Sequence, residues 1–355
     1  MAGRPAVGLD IGASSVRAAE LSFGKGPATL ERFGQVALPP GAVRDGEIVD
    51  GDAVAGAVRQ LWTQAKFSNK KVALGVANQR VIVRQVDLPW LPLPELRKSL
   101  AFQVQDFVPM PVEEAILDVH PLEEFTGDTG ARMLRVLLVA AARDMVNSMI
   151  DTVGRAGLSV SMVDLTPFAL LRAVSRHDQL GLSGTTEALI EVGASVTNIV
   201  VHQGGVPRFV RILLMGGGDL TDAVAERMGV PHEQAESVKQ QLGIAPQPGT
   251  PVGDHPAARV LENSGSTFVD EVRGSLDYYL AAQQAAPIGR IVLSGGGAQL
   301  AGLAQRLSTA TRLPVELGNP LASLRVGKTG LTPEQLSFVA PLAAVPVGLA
   351  MGVAA

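Results

Sequence analysis

The chain has 355 residues, 46% of them hydrophobic and 18% charged, with a formal net charge of −4. That length suggests two or more domains, and the acidic balance, with a pI near 5.8, argues against a nucleic-acid binder, which normally carries a basic domain. Without cysteine, disulfides and thiolate metal sites are excluded, and a cytosolic location is compatible.

In chain order, residues 6–11 and 16–21 are apolar or alternating runs joined by Gly12-Ala-Ser-Ser, the pattern of a β-hairpin, and a third strand is expected near 30–38. No charged stretch followed by an apolar one precedes them, so no signal peptide is expected. Residues 52–66 have helical spacing, with Asp50 or Asp52 as N-cap. Strands follow at 71–76 and 81–86. Three prolines between 89 and 94 then mark a break. Beyond it the pattern reads helix 95–107, strands 116–123 and 133–142, helix 144–156 closed by Gly157, and strand 160–165. Together with 81–86 this is a β-α-β-β-α-β order, predicted as a module inserted into the first domain. A helix starting at Thr166-Pro167 runs to about 176, and the polar stretch 177–186 is the expected interdomain crossing.

The second domain is predicted to hold strands at 187–202 and 208–214, a surface loop at 245–254, a long helix at 267–284 and a short buried strand at 290–293. Residues 336–355 carry no charge over 20 positions, about the length of a membrane span. Pro341, Pro346, Gly348, Gly352 and the many alanines oppose a span, and a buried terminal helix from near Val345 is expected instead. No basic and aromatic flank of a surface anchor is present either, so direct membrane insertion is not expected.

Two internal echoes stand out. Asp10-Ile-Gly-Ala-Ser and Glu191-Val-Gly-Ala-Ser are the same turn written twice, with Gly12 and Gly193 181 positions apart. Strand, Gly216-Gly-Gly and helix are echoed by strand, Gly295-Gly-Gly and helix at an offset of 79. A carboxylate at a strand end can hold water on Mg²⁺. Gly12 permits close approach, and the amides of Ala13, Ser14 and Ser15 can form an anion nest. Alone, the turn could be a plain tight hairpin. Its recurrence as Gly193, Ala194 and Ser195 points to phosphates held between two facing domains. Glu191 could orient an attacking water or simply be a strand-end glutamate. Glycines at 216, 217, 295, 296 and 297 would let backbone approach a ligand, with helix N-termini favouring its anionic groups. Glu236 and Lys239, at i and i+3, look by spacing alone like an ordinary helix-surface ion pair. The five histidines are scattered without ligand spacing.

The order of these signals resembles the actin-like ATPase superfamily, two RNase H-like domains around a nucleotide cleft. Within it, Gly216-Gly-Gly-Asp-Leu-Thr and Ala235-Glu-Ser-Val-Lys resemble the bacterial FtsA and PilM branch. The opening Gly8-Leu-Asp-Ile-Gly-Ala-Ser-Ser-Val-Arg and the run from Phe102 to Asp118 are similar to the PilM family of type IV pilus assembly. The resemblance implies an α/β actin-like fold with subdomain 1A at 1–80, 166–180 and 335–355, and the inserted subdomain 1C at 81–165. Subdomain 2A would take 186–222 and 286–334, and 2B 223–285. It implies ATP and Mg²⁺ in the cleft, with Arg17 joining the nucleotide-binding set and Asp10 and Glu191 reaching the metal through water. Glu236 and Lys239 would flank the adenosine together with Gly295, Gly296 and Gly297.

PilM-like proteins are cytoplasmic, peripheral to the inner face of the membrane, and capture the N-terminal tail of PilN among the pilus platform proteins. Phe102, Phe107 and Pro109 are candidate groove residues. Self-association is left open. The family's second loop usually carries Asp, so Glu191 puts hydrolysis in more doubt than binding, and slow or undetectable turnover is expected. An FtsA-like division protein, which would carry a terminal amphipathic helix, and a small-molecule kinase are the competing readings.

Overall fold

The computed structural model describes residues 5–175, 184–244, 255–282 and 285–354. The expected loop at 245–254 and most of the expected crossing at 177–186 lie outside them. The first half begins with β1 (Ala6–Ile11), β2 (Ser15–Ser22) and β3 (Thr29–Ala37), a short ribbon of β4 (Val43–Arg44) and β5 (Glu47–Ile48), α1 (Gly51–Ala65) and β6 (Lys71–Val76). It continues with β7 (Val81–Pro89), α2 (Leu93–Val104), β8 (Ala115–Thr126), β9 (Arg132–Ala142), α3 (Arg143–Arg155), β10 (Ser159–Leu165) and α4 (Thr166–Val174). The second half contains β11 (Thr186–Val192), β12 (Thr197–Gln203), β13 (Val206–Leu213), α5 (Gly217–Met228), α6 (His232–Leu242), α7 (Pro256–Leu280) and β14 (Ile288–Ser294). It closes with α8 (Leu303–Thr311), β15 (Val315–Leu317), β16 (Arg325–Val326), α9 (Pro333–Val339) and α10 (Ala344–Gly352).

The two halves build the same sheet. The first has the order β10-β6-β1-β2-β3-β16 and the second β15-β14-β11-β12-β13. In each, a three-stranded antiparallel meander is extended by two parallel strands, β6 and β10 or β14 and β15. The central strands β1 and β11 are buried at every position, which is why they read as continuous apolar runs and not as alternation. Local chemistry sets the first helix as expected: the Asp50 side chain accepts hydrogen bonds from the Asp52 and Ala53 amides and caps α1.

The six elements expected as one inserted module divide between two layers. β7, β9 and β8 form a separate three-stranded sheet covered by α2, with its own core of Val86, Leu96, Leu100, Val104, Val136 and Leu138. The last two elements belong elsewhere. β10 pairs in parallel with β6, and the apolar face of α3 (Met145, Val146, Met149, Val153) joins the core of the first domain. The β-α-β-β part of the pattern is thus the insert. The following α-β returns the chain to the main sheet, because a parallel strand there needs a helical crossover. The proline break also starts later than expected, since β7 runs through Pro89. α5, α6 and α7 share one core with the second sheet, where Val224, Ala235, Leu261 and Phe268 pack with Ile190 and Leu293.

Helices α4 and α10 lie between the two sheets. Leu170, Leu171, Val347 and Ala350 pack with Leu21 and Leu30 of the first sheet and Leu189, Val200 and Val292 of the second. Their crossing is close, because a Cβ on Gly348 would collide with the Ala169 carbonyl. The uncharged C-terminal segment is therefore a core helix. Among the described residues no single helix is long and apolar enough to cross a membrane. α9 and the stretch after it pass together by composition only, bent by 55°, and α10 is buried.

Candidate functional site: a cleft between two copies of one hairpin

The repeated turn is a repeated structure. In the first hairpin Ile11 pairs with Val16, and the Gly12 amide donates to the Ser15 carbonyl at 3.0 Å. In the second Val192 pairs with Thr197, and the Gly193 amide donates to the Val196 carbonyl at 2.9 Å. The two turns meet across one cavity lined by Asp10, Gly12, Ala13 and Arg17 from the first and by Glu191, Gly193, Ala194 and Ser195 from the second. Of the other two expected residues, Ser15 is buried in β2 and Ser14 is exposed, and neither lines the cavity. The cavity is narrow, about 50 Å³, and opens to solvent on one side, with room for a few waters or a phosphoryl-sized group.

The same register places a partner opposite each acid. Asp10 faces Arg17, with Nε 3.3 Å from Oδ2 and both residues buried. Glu191 faces Asn198, whose Nδ2 donates to Oε2 at 2.8 Å. Asn198 was missed by sequence reasoning. Counting across the four-residue turn from Glu191 would have found it. Burial pushes the Asp10 carboxyl up, opposed by the Arg17 charge. Burial also raises Glu191, to about 7, with the negative Asp10 adding to the rise and Arg17 and the Asn198 bond opposing it. Ile11, Gly46, Gly75, Ala77, Met149 and Thr166 complete the lining on the first-domain side, also unpredicted.

The triple glycines differ from the expectation. The Gly217 and Gly218 amides donate to the carbonyls of Gly193 and Ala194 at 2.9 and 2.7 Å. The first amides of α5 are therefore spent on the second hairpin and not offered to an anion. A Cβ on Gly216 would strike the Gly193 carbonyl. Gly295 has φ +82°, and a Cβ there would press on the Val192 carbonyl and the Glu191 carboxylate, while one on Gly297 would strike Val192. These glycines let neighbouring loops close on one another around the second hairpin. The Gly295 amide and the Ser294 hydroxyl both donate to the Pro341 carbonyl at 3.0 Å, tying this loop to the lead-in of α10. Gly296 lies against Leu342.

Glu236 and Lys239 are more than a surface pair. Lys239 is buried, and its Nζ donates to the Gly217 carbonyl and the Thr221 hydroxyl at 2.8 Å each and pairs with Glu236 at 2.7 Å. Burial pushes Glu236 up, but hydrogen bonds from Lys239 and Thr221 bring it below the usual carboxylate range. The pair pins α6 to the first turn of α5 and so to the second hairpin. Phe102, 80% exposed on α2, and Phe107 and Pro109, at the exit from α2, lie apart from this cleft on the insert. Met110 next to them touches both the insert core and the first-domain core.

No group of three or more His, Asp or Glu side chains able to hold a metal gathers among the described residues. Asp10 is engaged by Arg17 and Glu191 by Asn198. The donor set does not fit a metal caged by protein alone.

Two like-built sheets linked by two core helices, with paired turns facing across a cleft, define the actin-like ATPase fold. Residues 8–353 match the family profile described as type IV pilus assembly protein PilM. The chain belongs to this family. It is similar to a chain of a PilM-PilN type IV pilus biogenesis complex, at 27% identity and a TM-score of 0.85, covering 98% of each chain. FtsA of Streptococcus pneumoniae serotype 2 (strain D39 / NCTC 7466), a cell division protein, is 26% identical over 88% of this chain and 75% of its own length. FtsA of Bacillus subtilis (strain 168) is 25% identical over 67% of this chain, which spans only 58% of that protein. MreB5 of Spiroplasma citri, solved with ADP, shares the fold at a TM-score of 0.56 and 14% identity, over 98% of this chain and 95% of its own.

Proposed function

We propose that this chain is a nucleotide-binding scaffold of type IV pilus assembly, with ATP held by its phosphates between the two hairpins. The observation that carries this reading is the duplicated turn, Gly12-Ala13 against Gly193-Ala194, the two copies lining one cavity. Glu236, Lys239 and Gly295 to Gly297 all pack around the second hairpin, and ATP binding would be transmitted to α5, α6 and α10 through them. Any Mg²⁺ arriving with ATP would have only the phosphates and water to hold it, since Asp10 is engaged by Arg17 and Glu191 by Asn198. Glu191 is packed against Gly295 and held by Asn198, which supports ATP as a conformational ligand with slow or no turnover.

The scaffold role extends to a partner. We infer capture of the N-terminal tail of a PilN-like membrane protein at the insert, near Phe102, Phe107 and Pro109, which would place this chain at the inner face of the membrane. An 80% exposed phenylalanine and its neighbours at the insert's junction with the first domain support a docking surface. The test pairs ATP titration with pull-down by a synthetic PilN N-terminal peptide. The expected result is binding of both, with the peptide lost in Phe102→Ala or Phe107→Ala while ATP affinity is unchanged. ATP binding without peptide capture would refute the partner.

A further inference from the structure

The cleft carries its own cation. Arg17 is the one Lys or Arg among the described residues lining the cavity. It is 7% exposed, stands opposite Asp10 across the first hairpin and pairs with it at 3.3 Å. Its Nη2 lies 3.0 Å from where a Cβ on Gly12 would sit, so the guanidinium crosses the turn itself and the glycine there makes room for it. Its Nε is buried and, although 3.3 Å from the Asp10 carboxylate, makes no well-aligned hydrogen bond. In the second hairpin the same register position is the neutral Asn198.

A guanidinium keeps its charge at any ordinary pH and offers a planar fork of donors that matches phosphate oxygens. A buried donor without an acceptor gains from an acceptor that arrives. A divalent ion placed at Asp10 would instead share that carboxylate with a fixed positive charge, in a site of low dielectric where like charges repel strongly. The second acid is tied to Asn198, and no third gathers with them.

We propose that Arg17 is the cation against which the phosphates of a nucleotide bind, and that this cleft takes ATP without a divalent metal. The inference rests on the nucleotide-binding reading above. It is tested by calorimetric titration of the full chain with ATP, in magnesium chloride and in excess EDTA. The expected result is a wild-type affinity that differs by less than about threefold between the two buffers. Arg17→Gln should lose about tenfold or more in EDTA, because one charge-assisted bond to phosphate is worth at least that, and regain part of the loss with magnesium.

Loss of about tenfold or more by the wild type in EDTA would overturn the proposal, as would Arg17→Gln binding in EDTA like wild type. Absence of ATP binding in both buffers by a chain with a normal melting transition would remove the nucleotide reading and this inference with it. If Arg17→Gln does not fold, Arg17→Lys, which keeps the charge and loses the fork, carries the test. Weakening by about threefold or more in EDTA supports the proposal and unchanged affinity overturns it.

Discussion

Replacing Glu191 by Gln should stabilise the protein, and only at neutral and alkaline pH. Glu191 is 5% exposed, and its pKa rises from 4.5 to about 7. The sign follows from linkage. A carboxyl raised by folding favours the protonated form in the native state, so its contribution is most favourable below 4.5 and deteriorates as pH climbs towards 7. At about 1.4 kcal/mol per tenfold, the burden on the native state reaches roughly 3 kcal/mol above pH 7 and is under about 1 kcal/mol at pH 5. Glutamine keeps an acceptor for the Asn198 amide and carries no charge. Urea denaturation of both proteins at pH 5 and pH 8 should therefore give a stability difference that shifts by about 2–3 kcal/mol in favour of the variant at pH 8. Comparing the two proteins cancels the titrating groups that do not interact with Glu191; Asp10, which does, is left as a smaller contribution of the same site. A difference that is flat with pH would show that Glu191 stays ionised in the fold and would refute the reasoning.

Three further perturbations address the loops and the core. Gly295→Ala forces a side chain onto a backbone at φ +82° and against the Val192 carbonyl, and should cost roughly 2–4 kcal/mol, read as a lower midpoint in urea and weaker ATP binding. Lys239→Met removes the buried ammonium that pairs with Glu236 and donates to the Gly217 carbonyl and the Thr221 hydroxyl, leaving the Glu236 carboxylate without its cation. A loss of roughly 2–4 kcal/mol is expected, together with faster amide exchange in the first turn of α5. Gly348→Ala drives a methyl into the Ala169 backbone at the crossing of α4 and α10 and should destabilise by about 1–3 kcal/mol or more, detected by calorimetric melting.

The hairpins were legible because they depend on local rules: apolar runs, a Gly-Ala-Ser turn and an acid at a fixed place. The duplication was legible for the same reason. The role of the triple glycines was not. Gly216 and Gly295 are glycines because the second hairpin's carbonyls lie against them, a long-range contact that no sequence window holds. By spacing alone Lys239 reads as a surface residue, because helical spacing reports a neighbour at i+3 and says nothing of α5 arriving over it; only the family resemblance draws it towards the cleft. The end of the insert is not legible in the sequence for a comparable reason. The run of strands and helices is continuous in sequence, and only the parallel pairing of β10 with β6 assigns it to the main sheet. Asn198 needed one step of register counting beyond the motif.

The most direct test of the cleft is amide hydrogen exchange of the full chain with and without ATP. The expected result is simultaneous protection of residues 11–17 and 192–198, the two hairpins 181 positions apart in sequence, with smaller effects at the start of α5. Protection of neither hairpin at saturating ATP, or of one alone, would contradict a nucleotide gripped between the two copies of the turn.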